Sequence, residues 1–440
     1  MKQSRRTFLQ NTSKIAATSA LVAGFPHILS SRSPNETLNF GLIGCRGRGF
    51  RVLEQHLDIG GVVCTALCDI DENVLNEKSK VLDEKYQQKP KIYRDFRKLL
   101  EDKDIDAVII GTPDHWHCLQ MIYACEAGKD VYVEKPMANS IEECNLMVKA
   151  AKRYNRIVQV GQQQRSGMVW ADVMDYIHAG RIGKIRKTNI WANFNYGLGP
   201  QKQADAAVPQ GVDYDMYLGP AQKRPFNPAR FHGGWRMFWD YGGGLMTDFG
   251  VHLIDMALWA RNITTEPETV LAFGNQLDRP DLSRETFDTM SVVYTIGDYV
   301  IQWESNAGIQ KGPYDKNYGL AFIGEKGTVV ANRGEWQVIP EWDGEKKAFK
   351  VDEYTSRKYE QGHDDHMQNF IYCIKNRKTP ACPPEMGRNV ALYAHMGNMA
   401  VRSGEYKLEW DNEKGKFKEG KGANQLIKPE YHNGWGLPKV

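Results

Sequence analysis

The sequence predicts an α/β fold: an N-terminal doubly wound parallel sheet, then an α+β domain built on a large, open, mostly antiparallel sheet. Three observations lead there. Between residues 38 and 160 short apolar runs alternate with helical periods, and a run such as Ala107-Val108-Ile109-Ile110 has no polar face, as in a strand buried on both sides. Between residues 268 and 331 the strands alternate apolar and polar positions, the pattern of a sheet covered on one face. At the head of the first region, residues 39–50 (N-F-G-L-I-G-C-R-G-R-G-F) pass from an apolar strand through a glycine-rich turn into a helix.

In chain order, residues 1–33 read as a signal peptide. S-R-R-T-F-L at 4–9 follows the twin-arginine pattern, and the weakly apolar run at 15–25 is too short and too polar to span a membrane. No cysteine precedes Cys45, so no stable membrane anchor is expected. Removing residues 1–30, with Lys2, Arg5, Arg6 and Lys14, takes the formal charge from +3 to −1, which argues against a nucleic-acid partner. The expected location is the periplasm or another exported compartment, reached through the twin-arginine export machinery. That route carries folded proteins, so a cofactor would be acquired before export and held tightly.

Residues 38–160 form the first predicted domain. Its strands are expected at 39–43, 62–68, 107–110, 130–133 and 157–160, with a short one near Ile92; its helices at 47–57, 72–86, 94–102, 116–128 and 140–154. Residues 161–405 form the second, whose late helices return toward the first sheet. It has a helix at 167–179, a strand at 185–195, a long aromatic-rich connection, a helix after Gly242-Gly243-Gly244, five strands between 268 and 331, and helices at 363–376 and 387–402. Residues 406–440 read as a polar surface tail. The eight cysteines are scattered without a CxxC pair, so neither a disulfide framework nor a zinc site is expected.

The strand, glycine turn and helix N-terminus make an anion cradle. Its glycines are Gly44, Gly47 and Gly49, with Arg46 at the position where a G-x-G-x-x-G register has its middle glycine. Strand 62–68 ends at Asp69, 20 residues after Gly49, where a carboxylate can hold a ribose 2′-hydroxyl and repel a 2′-phosphate. The expected cofactor is therefore NAD, with NADP disfavoured, although Arg46 could pair with a phosphate. Lys135 stands at a strand end between Glu134 and Pro136, and the proline ends the strand and turns the lysine toward the crevice, where either Lys135 or His252 could serve as the base. Asp248, His252 and Asp255 share one predicted helix face, where carboxylates would fix the imidazole tautomer for acid–base work. Trp191 and Trp235, within an aromatic set that includes Tyr196 and Trp239, are candidates to line a sugar cleft; Arg165 and Asp255 complete the expected substrate contacts. Packing is the plainer reading for most of that set. His115, Trp116 and His117, and His363 to His366, give no convincing metal spacing, and no metal is expected.

T-P-D-H-W-H at 112–117, A-G-K-D-V-Y-V-E-K-P at 127–136 and D-F-G-V-H-L-I-D at 248–255 resemble the glucose–fructose oxidoreductase, inositol dehydrogenase and rhizopine-catabolism (Gfo/Idh/MocA) family, and V-D-Y-D-M-Y-L-G-P-A-Q-K-R-P-F-N-P at 212–228 resembles its exported bacterial branch. The resemblance runs from about residue 38 to 405. It implies an N-terminal Rossmann domain, a C-terminal domain often used for homo-oligomerisation, and hydride transfer between a nicotinamide cofactor and a sugar or cyclitol carbon. It places the family lysine on Lys135 and the family Asp/His pair on Asp248 and His252. The cofactor contacts fall on the glycine turn, Asp69, Thr112, Pro113, His117, Glu134 and Gln163. One branch of the same fold cleaves glycosides through transient oxidation, and its Y-P-T-H signature is absent here, where L-M-T-D stands.

Overall fold

The computed structural model describes residues 37–360 and 363–440. The twin-arginine segment lies outside the described residues.

Six strands form a parallel sheet: β1 (Leu38–Ile43), β2 (Val62–Cys68), β3 (Lys91–Tyr93), β4 (Ala107–Ile110), β5 (Asp130–Val133) and β6 (Val158–Val160). Their order is β3-β2-β1-β4-β5-β6, so the strand order reverses between β1 and β4 and opens a crevice at their carboxyl ends. All four residues of β4 and of β5 are buried, and apart from Asp130 at the start of β5, which pairs with Arg377, their sequences run without a polar face. Five helices connect the strands: α1 (Arg48–Ile59), α2 (Glu72–Tyr86), α3 (Phe96–Leu100), α4 (Asp114–Glu126) and α5 (Ile141–Arg153). Their starts are written in the sequence. Asp71 and Asp95 cap α2 and α3 by accepting backbone N–H bonds, and Ser140 with Glu143 forms a capping box at α5.

The second sheet has ten strands, β7 (Ile185–Ala192), β8 (Thr269–Asn275), β9 (Thr289–Ile296), β10 (Tyr299–Asn306), β11 (Tyr318–Gly324), β12 (Gly327–Ala331), β13 (Trp336–Pro340) and three short ones near 354, 407 and 416. All its pairings are antiparallel except β7 with β10. Burial alternates along β10, where Tyr299, Ile301 and Trp303 face a core covered by the helices Met168–His178, Val251–Ala260 and Pro384–Ser403. Helix Asp364–Asn376 packs instead on the first sheet, burying Met367, Phe370 and Ile371 against Phe40 and Tyr132. Residues 406–440, expected as a surface tail, differ: Lys407–Asp411 pairs with β8, and Tyr431 and Trp435 pack on the first sheet's core. The apolar positions that do this are isolated, so no periodicity announces them.

Candidate active site

A cavity of about 650 Å³ lies at the carboxyl ends of β1 and β4 and extends beneath the second sheet. The turn after β1 forms one end. Gly44 has φ +86°, and a Cβ there would stand 2.8 Å from the backbone of Gly111 and Thr112. A Cβ on Gly49 would meet the Gly44 carbonyl at 2.1 Å, so Gly49 lets α1 pack against the turn and does not itself line the cavity. The second left-handed turn residue is Gly47, with φ +51° and open space around its Cβ. Arg46 lies at the exposed mouth, which resolves the irregular glycine register.

Asp69 closes the same end. Its carboxylate accepts the N–H of Cys45 at 2.7 Å and that of Asp71 at 3.1 Å, and burial raises its pKa to about 6. A strap from the long connection lies over this end. Gly211 O accepts from Glu72 N and from Arg94, Asp213 N donates to Ile70 O, and His232 stands 3.3 Å from Asp71.

At the other end Lys135 follows β5, through a cis Lys135–Pro136 peptide. Its ammonium donates to Asp248 Oδ1 at 2.7 Å and to the Asp248 carbonyl at 2.8 Å, and Arg236 Nε donates to the same Oδ1 at 2.9 Å. Burial alone would raise the Asp248 carboxyl; Lys135 and Arg236 outweigh it and hold the group far below the carboxylate range. Glu134 is paired with Arg48 at 2.9 Å, and Arg48 and Lys135 likewise overcome its burial and keep it ionised. His252 is buried, and its Nδ1 has no hydrogen-bond partner among the described residues. Burial, then the nearby Arg333 and Lys135, push its pKa well below 6.5, so the ring is neutral. Thr112, Pro113, Gln163 and Trp235 also border the cavity.

Several expectations need correction. Asp248 does not hold His252. The first turn, Met246–Gly250, is a π-helix, so α-helical spacing does not apply there, and the carboxylate turns to Lys135 and Arg236. Asp255 and Arg165 are not substrate contacts. They form a buried bidentate pair, Arg165 Nη2 to Asp255 Oδ1 at 2.6 Å, away from the cavity lining. Trp191 is buried in β7, where its indole donates to the Lys316 carbonyl and packs by Tyr314, outside this cavity. His117 is fully buried with its ring nitrogens against the Thr112 and Pro136 carbonyls, so it braces the two strand-end loops. Most of the aromatic set is packing: Phe238 and Tyr241 sit in a separate cluster with Tyr217 and Phe231. Charged lining residues that the sequence reading did not name include Arg48, Arg94, Arg236 and Arg333, while Asp114 and His363, named there without a site role, border the cavity too. Arg48, two residues from Arg46 at the start of a helix, was the one with a readable signal.

Residues 38–162 match the family description "Oxidoreductase family, NAD-binding Rossmann fold", and residues 184–437 match "Oxidoreductase family, C-terminal alpha/beta domain". The chain belongs to the Gfo/Idh/MocA oxidoreductase family. Among curated members, it is 25% identical to scyllo-inositol 2-dehydrogenase (NAD(+)) of Bacillus subtilis over 287 residues, 64% of this chain and 71% of that one. It is 31% identical to an alpha-N-acetylgalactosaminidase of Shewanella oneidensis over 154 residues, 34% of each chain. The chain thus spans about a third of the length of the Shewanella relatives it matches. In fold it resembles levoglucosan dehydrogenase in complex with NADH and levoglucosan (TM-score 0.64, 20% identity, 85% of this chain and 99% of that one). It also resembles myo-inositol 2-dehydrogenase of Lactobacillus plantarum (TM-score 0.62, 19% identity, 86% and 100%). The cavity itself fits the family's NAD. Gly47 in its glycine turn leaves open space where a side chain would stand, the Asp69 carboxylate lies on its wall, and buried polar atoms of Arg48 and Gln163 there have no protein partner among the described residues.

Proposed function

We propose that this chain is an NAD-dependent oxidoreductase moving a hydride between a tightly held nicotinamide cofactor and a hydroxyl-bearing carbon of a sugar, glycoside or cyclitol. The observation that carries the reading is Lys135. It is fixed by Asp248 at a strand end, in a cavity shared with neutral His252 and, at its far end, with the glycine turn and Asp69. Gly44, Gly47, Asp69, Thr112, Pro113 and Gln163 would hold the cofactor, which when bound accepts or supplies the hydride. A substrate hydroxyl must lose a proton as its carbon is oxidised. Neutral His252, whose ring borders the cavity, is suited to take that proton, because charging it inside a cationic pocket is transient. Lys135, ion-paired with Asp248, donates a hydrogen bond to the same oxygen and stabilises its alkoxide character. Arg236 shares Asp248 and holds that carboxylate away from the substrate oxygen. The test is mass spectrometry of the cofactor released from purified protein, followed by a sugar and glycoside screen that watches nicotinamide absorbance. Recovery of NADP, or of no nucleotide, would count against the reading.

A second reading is oxidation-primed glycoside cleavage, favoured by the partial match to the Shewanella glycosidase. It predicts aglycone release without net nicotinamide reduction, which the same screen separates. The twin-arginine pattern at 4–9 supports periplasmic export of the loaded protein; assembly as a homo-oligomer through the large sheet is an expectation carried by family membership alone. Replacing Arg5 and Arg6 together by lysine should leave the protein in the cytoplasm; normal export of that variant would end the export reading.

A further inference from the structure

Around Lys135, and among the described residues, the ion pairs of the cavity wall leave the Arg333 cation over; Arg46, also without an ion pair, lies at the exposed mouth. Glu134 takes Arg48, and Asp248 is shared by Lys135 and Arg236, so a single carboxylate already serves two cations. Arg333, in the turn after β12, lines the same cavity as Lys135 and His252. Its guanidinium lies 4.8 Å from the Phe249 ring centroid, one residue from Asp248 in sequence. No carboxylate among the described residues forms an ion pair with it, and its Nε is buried without a hydrogen-bond partner. His363, which also lines the cavity, adds no further positive charge, since burial and then Arg48 lower its pKa to about 4. Asp114, the remaining carboxyl on this side, is buried and raised well above its ordinary value by that burial, so it offsets little of the surplus. A neutral sugar would leave a desolvated guanidinium unpaired. A planar fork of N–H donors matches a carboxylate or phosphate bidentately.

Resting on the oxidoreductase reading above, we propose that the carbohydrate taken by this site carries an anionic group, a carboxylate or a phosphate, and that Arg333 holds it. The site is then selective for sugar acids or sugar phosphates over neutral sugars.

The test titrates the cofactor-loaded full chain with matched sets of neutral hexoses, hexuronates and hexose 6-phosphates, by calorimetry and by reduction of the bound nicotinamide. An anionic member should bind at least about tenfold more tightly than its neutral counterpart, the scale of a charge-assisted hydrogen bond. In Arg333→Gln that ratio should fall to about one, and Arg333→Lys, which keeps the charge and loses the fork, should retain part of it. Retained nucleotide certifies that each variant is folded. The two anionic arms separate carboxylate from phosphate. Equal affinity for neutral and anionic sugars, an unchanged ratio in Arg333→Gln, or no binding of any anionic sugar overturns the proposal. Reduction of the cofactor by neutral hexoses alone would remove this proposal and keep the oxidoreductase reading. Anion-selective binding through Arg333 with no sugar ever reducing the cofactor would do the reverse.

Discussion

At the scale of single residues, Asp248 does most to organise the reacting end, because two cations depend on its one charge. Asp248→Asn leaves Lys135 and Arg236 without a counter-charge in a largely buried setting, a change that costs about 3–5 kcal/mol for a broken buried pair. A urea titration should show the loss as a lower midpoint at unchanged slope. Asp69 sets a pH dependence whose sign is fixed. Ribose hydroxyls bond the carboxylate, not the acid, and burial raises the group from 3.8 to about 6 before any cofactor is bound. Below that value binding must expel a proton, so NAD affinity should rise with pH up to about 6 and level off above it. Calorimetry across about pH 5–8 checks this, and Asp69→Asn should flatten the curve. Lys135 was legible in the sequence because a proline ends its strand. Arg236, Arg333 and His363 were not, since they sit in connections whose path no hydrophobic period encodes. The Asp248–His252 pairing was misread because an α-helical spacing was applied across a π-turn.

At the scale of elements, the strap matters most. Residues 211–213 and His232 join the ends of β2 and β3 to the long connection, and Arg94 donates to Gly211 O at 3.0 Å and to Ile70 O at 3.4 Å. The strap thus borders the cavity at its Asp69 end. Arg94→Ala removes these bonds and should raise the cofactor dissociation rate several-fold, on the scale of about 1 kcal/mol per hydrogen bond. Cofactor remaining after timed dialysis measures it; retention equal to the parent would show that the strap does not gate release. The elements of the parallel sheet were readable because strands buried on both faces carry few polar residues. The predicted strands 62–68, 107–110 and 130–133 coincide with β2, β4 and β5. Strand β13 and the strand at 407–411 were missed, since each exposes part of its length and mixes polar with apolar positions.

At the scale of the molecule, the site exists only when distant segments meet. The turn after β1, the ends of β4 and β5, the start of helix Val251–Ala260, the turn after β12 and His363 all border one cavity. Two sheets and a returning helix hold them, and the two-sheet plan was legible because purely apolar and alternating strands occupy separate halves of the chain. Which side chains converge was only partly legible, because convergence depends on loops. The claim that rests on this convergence is that Lys135 and His252 carry a hydride-coupled proton transfer. The direct measurement is single-turnover reduction of the bound nicotinamide in Lys135→Ala, using a sugar that reduces the parent protein's cofactor. The predicted result is full cofactor retention with transfer slowed by roughly 10²-fold or more. Transfer at near the parent rate in Lys135→Ala would contradict it.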